Sequence, residues 1–380
     1  MLCSGPSRKV SGPCVLGNCV QLSCIRTWKL PSKQSHPHLH HKAHIIIMKS
    51  SSDEGVASNG SEDTKSAEYT QEMQAKMGTS LTYRHEAGLD YNRVLPDLIV
   101  GSCLQTPADV DRLAEQEGVK VVYCLQEDCD MEYFNLDVSK IQERCEERGD
   151  IKHVRFPIRD FDPYDLRMKL PKAITRLAKE HDPSKGTVYI HCTAGMGRAP
   201  ATAVAYMAWI RGIPVDTAYE MMTTVRRCSP KIQAIRSATA DLLLGTGPVA
   251  ASIAVHRPGT ATSIQVAGLD VGWHQKLDLK RDPTTHRFLL HRDLLPGSYP
   301  YKLVVDGNWT YSADHPTIKD GENINNVLDV SAALDAVSSG KFLRYISQGT
   351  VLTAEELQEL SAMLCPWATH EAPVQTTNSA

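Results

Sequence analysis

Apolar positions fall into short runs separated by polar segments that carry cap and turn residues, and their spacing divides the chain into two different patterns. Between about 80 and 245 the runs alternate between strand and helix. Leu98-Ile99-Val100 reads as a strand, and Thr106-Pro107-Ala108-Asp109 opens a helix that Gly118 ends. The stretch 119–125 (VKVVYCL) reads as a buried strand, followed by a helix over 138–148, a strand over 152–158 and a helix over 171–181. The strand 187–191 (TVYIH) and helices over 199–210, 215–225 and 231–244 complete the series. Such alternation predicts an α/β domain with a mostly parallel sheet.

Beyond 248 the helical period disappears. Residues 252–255 and 262–266 alternate as short strands, Trp273 closes a run over 267–273, and 287–290 precedes LPGSYPYKLVVDGNW at 295–309. Short strands between Gly and Pro turns predict an all-β sandwich. The stretch 354–364 (AEELQELSAML) is an amphipathic helix that can dock on either domain or on a partner. The expected organisation is therefore 76–245 as the α/β domain, 248–330 as the sandwich and 331–380 as a helical tail.

The first 75 residues do not fit this frame. Residues 1–52 hold no Asp or Glu but carry Arg8, Lys9, Arg26, Lys29, Lys33, Lys42 and Lys49 among several Ser, the composition of an organelle transit peptide. A polar, acidic stretch to about residue 72 reads as a linker. The net charge of −3 points away from nucleic acid or a membrane surface as the main partner. No apolar run approaches the roughly 20 residues of a membrane span. Four of the eleven cysteines lie in the leading segment and no CxxC pair occurs, so neither a structural zinc site nor a cofactor is expected.

Cys192 stands apart from the other cysteines. It follows TVYIH directly and begins Cys192-Thr193-Ala194-Gly195-Met196-Gly197-Arg198, after which Ala199-Pro200 starts a helix. A strand–loop–helix of this kind is a phosphate cradle, because loop amides and a helix N-terminus converge on an anion. Gly195 and Gly197 let the backbone turn and approach the phosphate. Arg198 can grip two phosphate oxygens, and the same positive field favours a thiolate nucleophile at Cys192. A general acid must protonate the departing oxygen. The segment Arg159-Asp160-Phe161-Asp162 follows a strand and offers two candidates, Asp160 and Asp162.

The pattern HCxxGxxR in this setting resembles the cysteine-dependent phosphatases that include the tyrosine and dual-specificity enzymes. That resemblance favours Asp160 as the acid. Ala199 departs from the Ser or Thr that many members carry after the Arg. The run LPGSYPYKLVVDGNW is similar to glycogen- and starch-binding modules of the early-set sandwich type. It implies Trp273, Lys302, Trp309 and Asn326 as a glucan platform, where flat aromatic faces meet sugar rings. Together with CLQEDCDMEYF (124–134) and RDFDPYDLR (159–167), the order of parts resembles plant phosphoglucan phosphatases of the starch-excess type. That family implies a chloroplast enzyme at the starch granule surface, acting on starch or amylopectin, with Tyr133, Phe134 and Phe161 as further glucan contacts. Two other readings stay open: a phosphatase of phosphoprotein, phosphotyrosine or phosphoinositide, and a non-enzymatic scaffold.

A redox reading also follows. If the strands ending at Cys124 and His191 are neighbours, Cys124 and Cys192 lie about 5 Å apart, within disulfide reach. The family resemblance points the same way, with thioredoxin as the reductant. Cys129 is a weaker rival partner.

Overall fold

The computed structural model describes residues 60–256, 261–320, 323–331 and 336–369. The transit-peptide reading of 1–52 lies outside them. In the first domain the elements are α1 (Gly60–Met77), β1 (Tyr91–Leu95), β2 (Leu98–Gly101), α2 (Pro107–Glu117), β3 (Val119–Cys124), α3 (Asp128–Tyr133) and α4 (Val138–Arg148). They continue with β4 (Lys152–Arg155), α5 (Pro163–Glu180), β5 (Thr187–His191), α6 (Arg198–Trp209), α7 (Val215–Val225) and α8 (Ile232–Leu244).

The sheet order is β1-β2-β5-β3-β4, with β1 antiparallel and the rest parallel. β5 is thus central, and all five of its residues are buried. Its side chains alternate between faces. Val188 and Ile190 join the core formed with α5, α6 and α8, while Tyr189 joins Val110, Leu113 and Ile141 under α2 and α4.

Two expectations are corrected here. The polar stretch read as linker forms α1, which buries Tyr69 and Met73. The helix expected from 171 starts at Pro163, because Asp162 caps it by accepting from the amides of Tyr164 and Asp165, with Pro163 at the first helical position. Pro171 lies inside that helix.

The second domain contains β6 (Val249–Val255), β7 (Ile264–Gly268), β8 (Gly272–Asp278), β9 (Lys280–Arg281), β10 (Phe288–Leu294), β11 (Gly297–Val305), β12 (Asn308–Thr310), β13 (Thr317–Asp320) and β14 (Asn323–Val330). They form two antiparallel sheets, β6-β10-β9 and β13-β14-β11-β7-β8, with β12 also on β11. Val255, Val266, Leu294, Tyr301 and Leu303 fill the space between. The run expected to end at Trp273 is a hairpin instead. Gly268, Leu269 and Gly272 have φ of +96°, +50° and +74°, which reverses the chain, so Trp273 lies in β8 just after the turn. Asp306 and Gly307, at φ +47° and +86°, make the two-residue turn between β11 and β12 that an Asp-Gly pair favours.

The domains meet along a polar seam. Arg167 forks onto both carboxylate oxygens of Asp241 at 2.7 Å and donates to the Pro296 carbonyl at 2.7 Å. Tyr164 packs edge-on against Tyr299. The tail helices α9 (Ala336–Ile346) and α10 (Ala354–Leu364) return to the α/β domain, where Leu360 and Leu364 enter its core. Among the described residues no helix is long and apolar enough to cross a membrane.

Candidate active site

The loop after β5 is held from behind. The carbonyls of Thr193, Ala194, Gly195 and Met196 each accept a hydrogen bond from outside the loop: from the Cys103 amide (2.9 Å), Arg226 Nη2 (3.1 Å), Arg226 Nε (2.7 Å) and the Ser229 amide (2.8 Å). In a trans peptide the N–H points opposite to the C=O. Carbonyls pulled outward therefore turn the loop amides inward, which is the arrangement of an anion nest. Arg226 is itself fixed by Asn92 and Asp90. Gly195 is required for this turn: its φ is +66° and a Cβ would lie 2.3 Å from the Gly101 carbonyl oxygen. Gly197 caps α6, and a Cβ there would lie 3.5 Å from Met77 of α1, an ordinary contact.

Cys192 and Arg198 are 2% and 3% exposed. Arg198 Nη1 donates to Asp130 Oδ2 at 2.6 Å and to the Ile158 carbonyl at 2.9 Å. Its Nη2 lies 3.2 Å from Thr193 Oγ1 and 2.8 Å from Asp160 Oδ2. Asp160 thus stands at the head of the loop, whereas Asp162 is committed to capping α5 and to Arg159. Burial raises the Asp160 carboxyl above its ordinary range; Arg198 opposes this and Asp130 adds to it. The Tyr69 hydroxyl, reaching in from α1, donates to Asp160 Oδ2 at 2.7 Å.

The aromatic residues separate into two kinds. Tyr133 is 38% exposed and donates to Glu68 of α1, and Phe161 lies 5.6 Å from Tyr69 at φ +55°. Phe134 is only 4% exposed, stacked on His85 and edge-on to Tyr69 and Tyr83. Its expected place at the rim is therefore corrected: α1 covers it.

On the sandwich, Trp309 is 49% exposed with Lys276 Nζ 5.5 Å from its ring centre, and Lys302 Nζ donates to Asn323 at 3.0 Å. Trp273 is half-buried. Its neighbour Gly272 abuts the acid loop, where a Cβ would lie 3.3 Å from Asp162 Oδ2. Asn326 is corrected. It is fully buried and exchanges both amide groups with the Ser312 backbone at 2.8 Å, holding the 312–316 loop. It pairs with Tyr301, a core residue, so its side chain lies on the inner face. Asn325, one position back, is buried as well, at 3% exposed.

Cys124 lies opposite His191 in the β3–β5 pairing, so those strands are neighbours. Cys103, bonded through its amide to Thr193, is a second buried thiol beside the loop. Burial pushes the Cys124 thiol up to about 11 and the Cys103 thiol up to about 12.

Comparison with known proteins agrees with both halves. Residues 112–238 match the dual specificity phosphatase catalytic domain, and 252–337 match the glycogen recognition site of AMP-activated protein kinase. The chain is 44% identical over 272 residues to the phosphoglucan phosphatase DSP4, amyloplastic, of Castanea sativa, covering 71% of this chain and 72% of that one. This chain belongs to the phosphoglucan phosphatases. It is also 29% identical to the phosphoglucan phosphatase LSF1, chloroplastic, of Arabidopsis thaliana, covering 69% of this chain and 45% of that one. The crystal structure of PTPMT1 in complex with PI(5)P overlays 40% of this chain and 97% of its own at 17% identity and a TM-score of 0.30.

In this family member, sequence reasoning missed Asp130, Tyr69, Arg226 and Cys103. Asp130 is one of six acids or aromatics in CLQEDCDMEYF, with no spacing to single it out. Tyr69 was hidden by its acidic, linker-like surroundings. Arg226 and Cys103 act from strands and loops whose proximity only the topology reveals.

Proposed function

We propose that the protein removes phosphate monoesters from the glucan chains of starch through a phosphocysteine intermediate, in the plastid and at the granule surface. Cys192 Sγ attacks phosphorus as the thiolate, and the P–O bond to the sugar breaks. The leaving oxygen takes the proton of Asp160. A water then attacks the thiophosphate, giving a proton to the Asp160 carboxylate, and phosphate departs as the thiolate re-forms. Arg198 and the loop amides take up the charge on the equatorial oxygens. Asp130 and Thr193 hold the guanidinium in its plane, and Arg226 holds the loop.

The observation that carries this reading is the buried Cys192–Arg198 loop with the raised carboxyl of Asp160 at its head. An exposed Trp309 face on a linked sandwich supplies the glucan part. In this reading Trp309, Trp273 and Lys302 bind glucan, and Tyr133 and Phe161 guide the chain to the loop. Binding two sites on one polymer raises the effective concentration of phosphate esters at the loop. The test is phosphate release from granules labelled at C6 or at C3. Release that depends on Cys192 supports the proposal, and release from phosphopeptide alone overturns it.

Reversible oxidation belongs to the same proposal. A peroxide would oxidise the Cys192 thiolate to a sulfenic acid, itself being reduced to water or an alcohol; the sulfenic acid would condense with the Cys124 thiol, losing water, and thioredoxin would reduce the disulfide to both thiols. Cys103 is the rival partner, and comparing recovery of Cys124→Ser and Cys103→Ser after oxidation separates them.

A further inference from the structure

On the α2 and α4 side of the sheet, apart from the phosphate loop, three side chains converge. Cys124 on β3 and His191 on β5 are register partners, and Cys124 also pairs with Arg155 on β4. His153 stands two residues before Arg155, so all three face the same side of three adjacent strands. Their ligand atoms lie within 4.8 Å of one another. They border a cavity of about 10 Å³, walled by Leu104, Met131 and Ile141, which is room for one water-sized occupant.

Two of these groups are missing partners. Among the described residues, His191 Nε2 and His153 Nδ1 are buried without a hydrogen bond. The His191 tautomer is set by its other nitrogen: Nδ1 lies 3.2 Å from the Cys192 carbonyl, which can only accept. Nε2 therefore carries a lone pair aimed away from that bond, the outer-shell arrangement typical of metal-ligating histidines. Gln126 Oε1 lies 4.0 Å from Cys124 Sγ while its Nε2 donates to Thr193, so a fourth donor oxygen is at hand. His153 also lines an open surface depression with Glu146 and Asp150, which offers a cation a way in.

We infer that Cys124, His153 and His191 form a site for a thiophilic cation, Zn²⁺ first among them. Two imidazoles and a thiolate are the donors such an ion selects, and their spacing is close to that of a closed site. Binding displaces the Cys124 thiol proton to solvent and forms the sulfur–metal bond. A bound ion and a Cys124–Cys192 disulfide exclude each other, because both consume the same sulfur. The nearby Arg155 charge is countered by Asp128.

The test uses the full chain carrying Cys192→Ser, which removes the catalytic thiolate as a competing ligand. The leading segment contains its own histidines, so both readouts are taken as differences between the parent and variants that share that segment. Zn²⁺ alone should raise the melting temperature of the folded part by roughly 5 °C or more at saturation. Adding Cys124→Ser or His153→Gln should abolish that rise and lower zinc stoichiometry by one equivalent. His153→Cys keeps a donor and should keep the rise, which separates ligand loss from misfolding. No rise in the parent, or a rise and stoichiometry unchanged by Cys124→Ser and His153→Gln, overturns the site.

Discussion

The phosphate loop and the Trp face of the sandwich differ in how tightly the fold holds them. Four successive loop carbonyls, Arg198 and Asp160 are each tied by named partners in the core. Trp309 is half exposed, with Lys276 over its ring. The contrast follows from what each must do. Charge developing on a phosphoryl group rewards donors already in place, and misplacement is costly. A polymer platform works by many weak contacts, so each residue can be loosely held.

The largest effect expected is at the nucleophile. Cys192→Ser should abolish release from both a small phosphate ester and amylopectin, because both need the phosphocysteine; phosphate assays on both substrates check this. Next comes Asp160→Asn, expected to slow turnover by about 10²–10⁴-fold for poor leaving groups. Its pH behaviour has a definite sign. A carboxyl raised by burial stays protonated to higher pH than an ordinary one, and acid catalysis is lost as pH rises through that raised value. The basic limb of kcat should therefore be present in the wild type and absent in Asp160→Asn.

Smaller effects test the other side of the contrast. Trp309→Ala should weaken amylopectin binding by about tenfold, equivalent to ~1.4 kcal/mol, while small-ester hydrolysis stays unchanged. Asn326→Ala should do the reverse of what a sugar ligand would. It should cost about 1–3 kcal/mol of stability by orphaning the Ser312 backbone, with little change in binding once folded. A melting curve beside a binding isotherm distinguishes the two. The smallest effect expected is Tyr69→Phe. Its hydroxyl favours the ionised Asp160, so removing it should move the basic limb to higher pH with kcat on the plateau nearly kept.

Much of this was legible in the residues. TVYIH followed by Cys192 to Arg198 announces strand, cradle and helix locally, and the loop's chemistry needs no distant partner to be recognised. Asp160 and Asp162 look alike as residues and only the family resemblance separated them; the structure adds a physical difference, since Asp162 caps α5. The error at Asn326 has a similar origin. Strand faces alternate with every residue, and only the pairing with the core residue Tyr301 shows which way Asn326 faces. α1 was missed because its surface is polar and acidic; among the described residues its buried apolar side chains are Tyr69 and Met73, and much of its hold on the domain is through polar residues such as Ser66 and Thr70. The buried trio of Cys124, His153 and His191 comes from three strands and has no local motif at all.

The central claim is that the loop supplies chemistry and the sandwich supplies the address. The direct measurement is kcat/KM on amylopectin phosphate and on a small phosphate ester for the wild type and for Trp273→Ala with Trp309→Ala. The account predicts a fall of at least about tenfold on amylopectin, with the small ester unchanged. An equal fall on both substrates, or none on amylopectin, would contradict it.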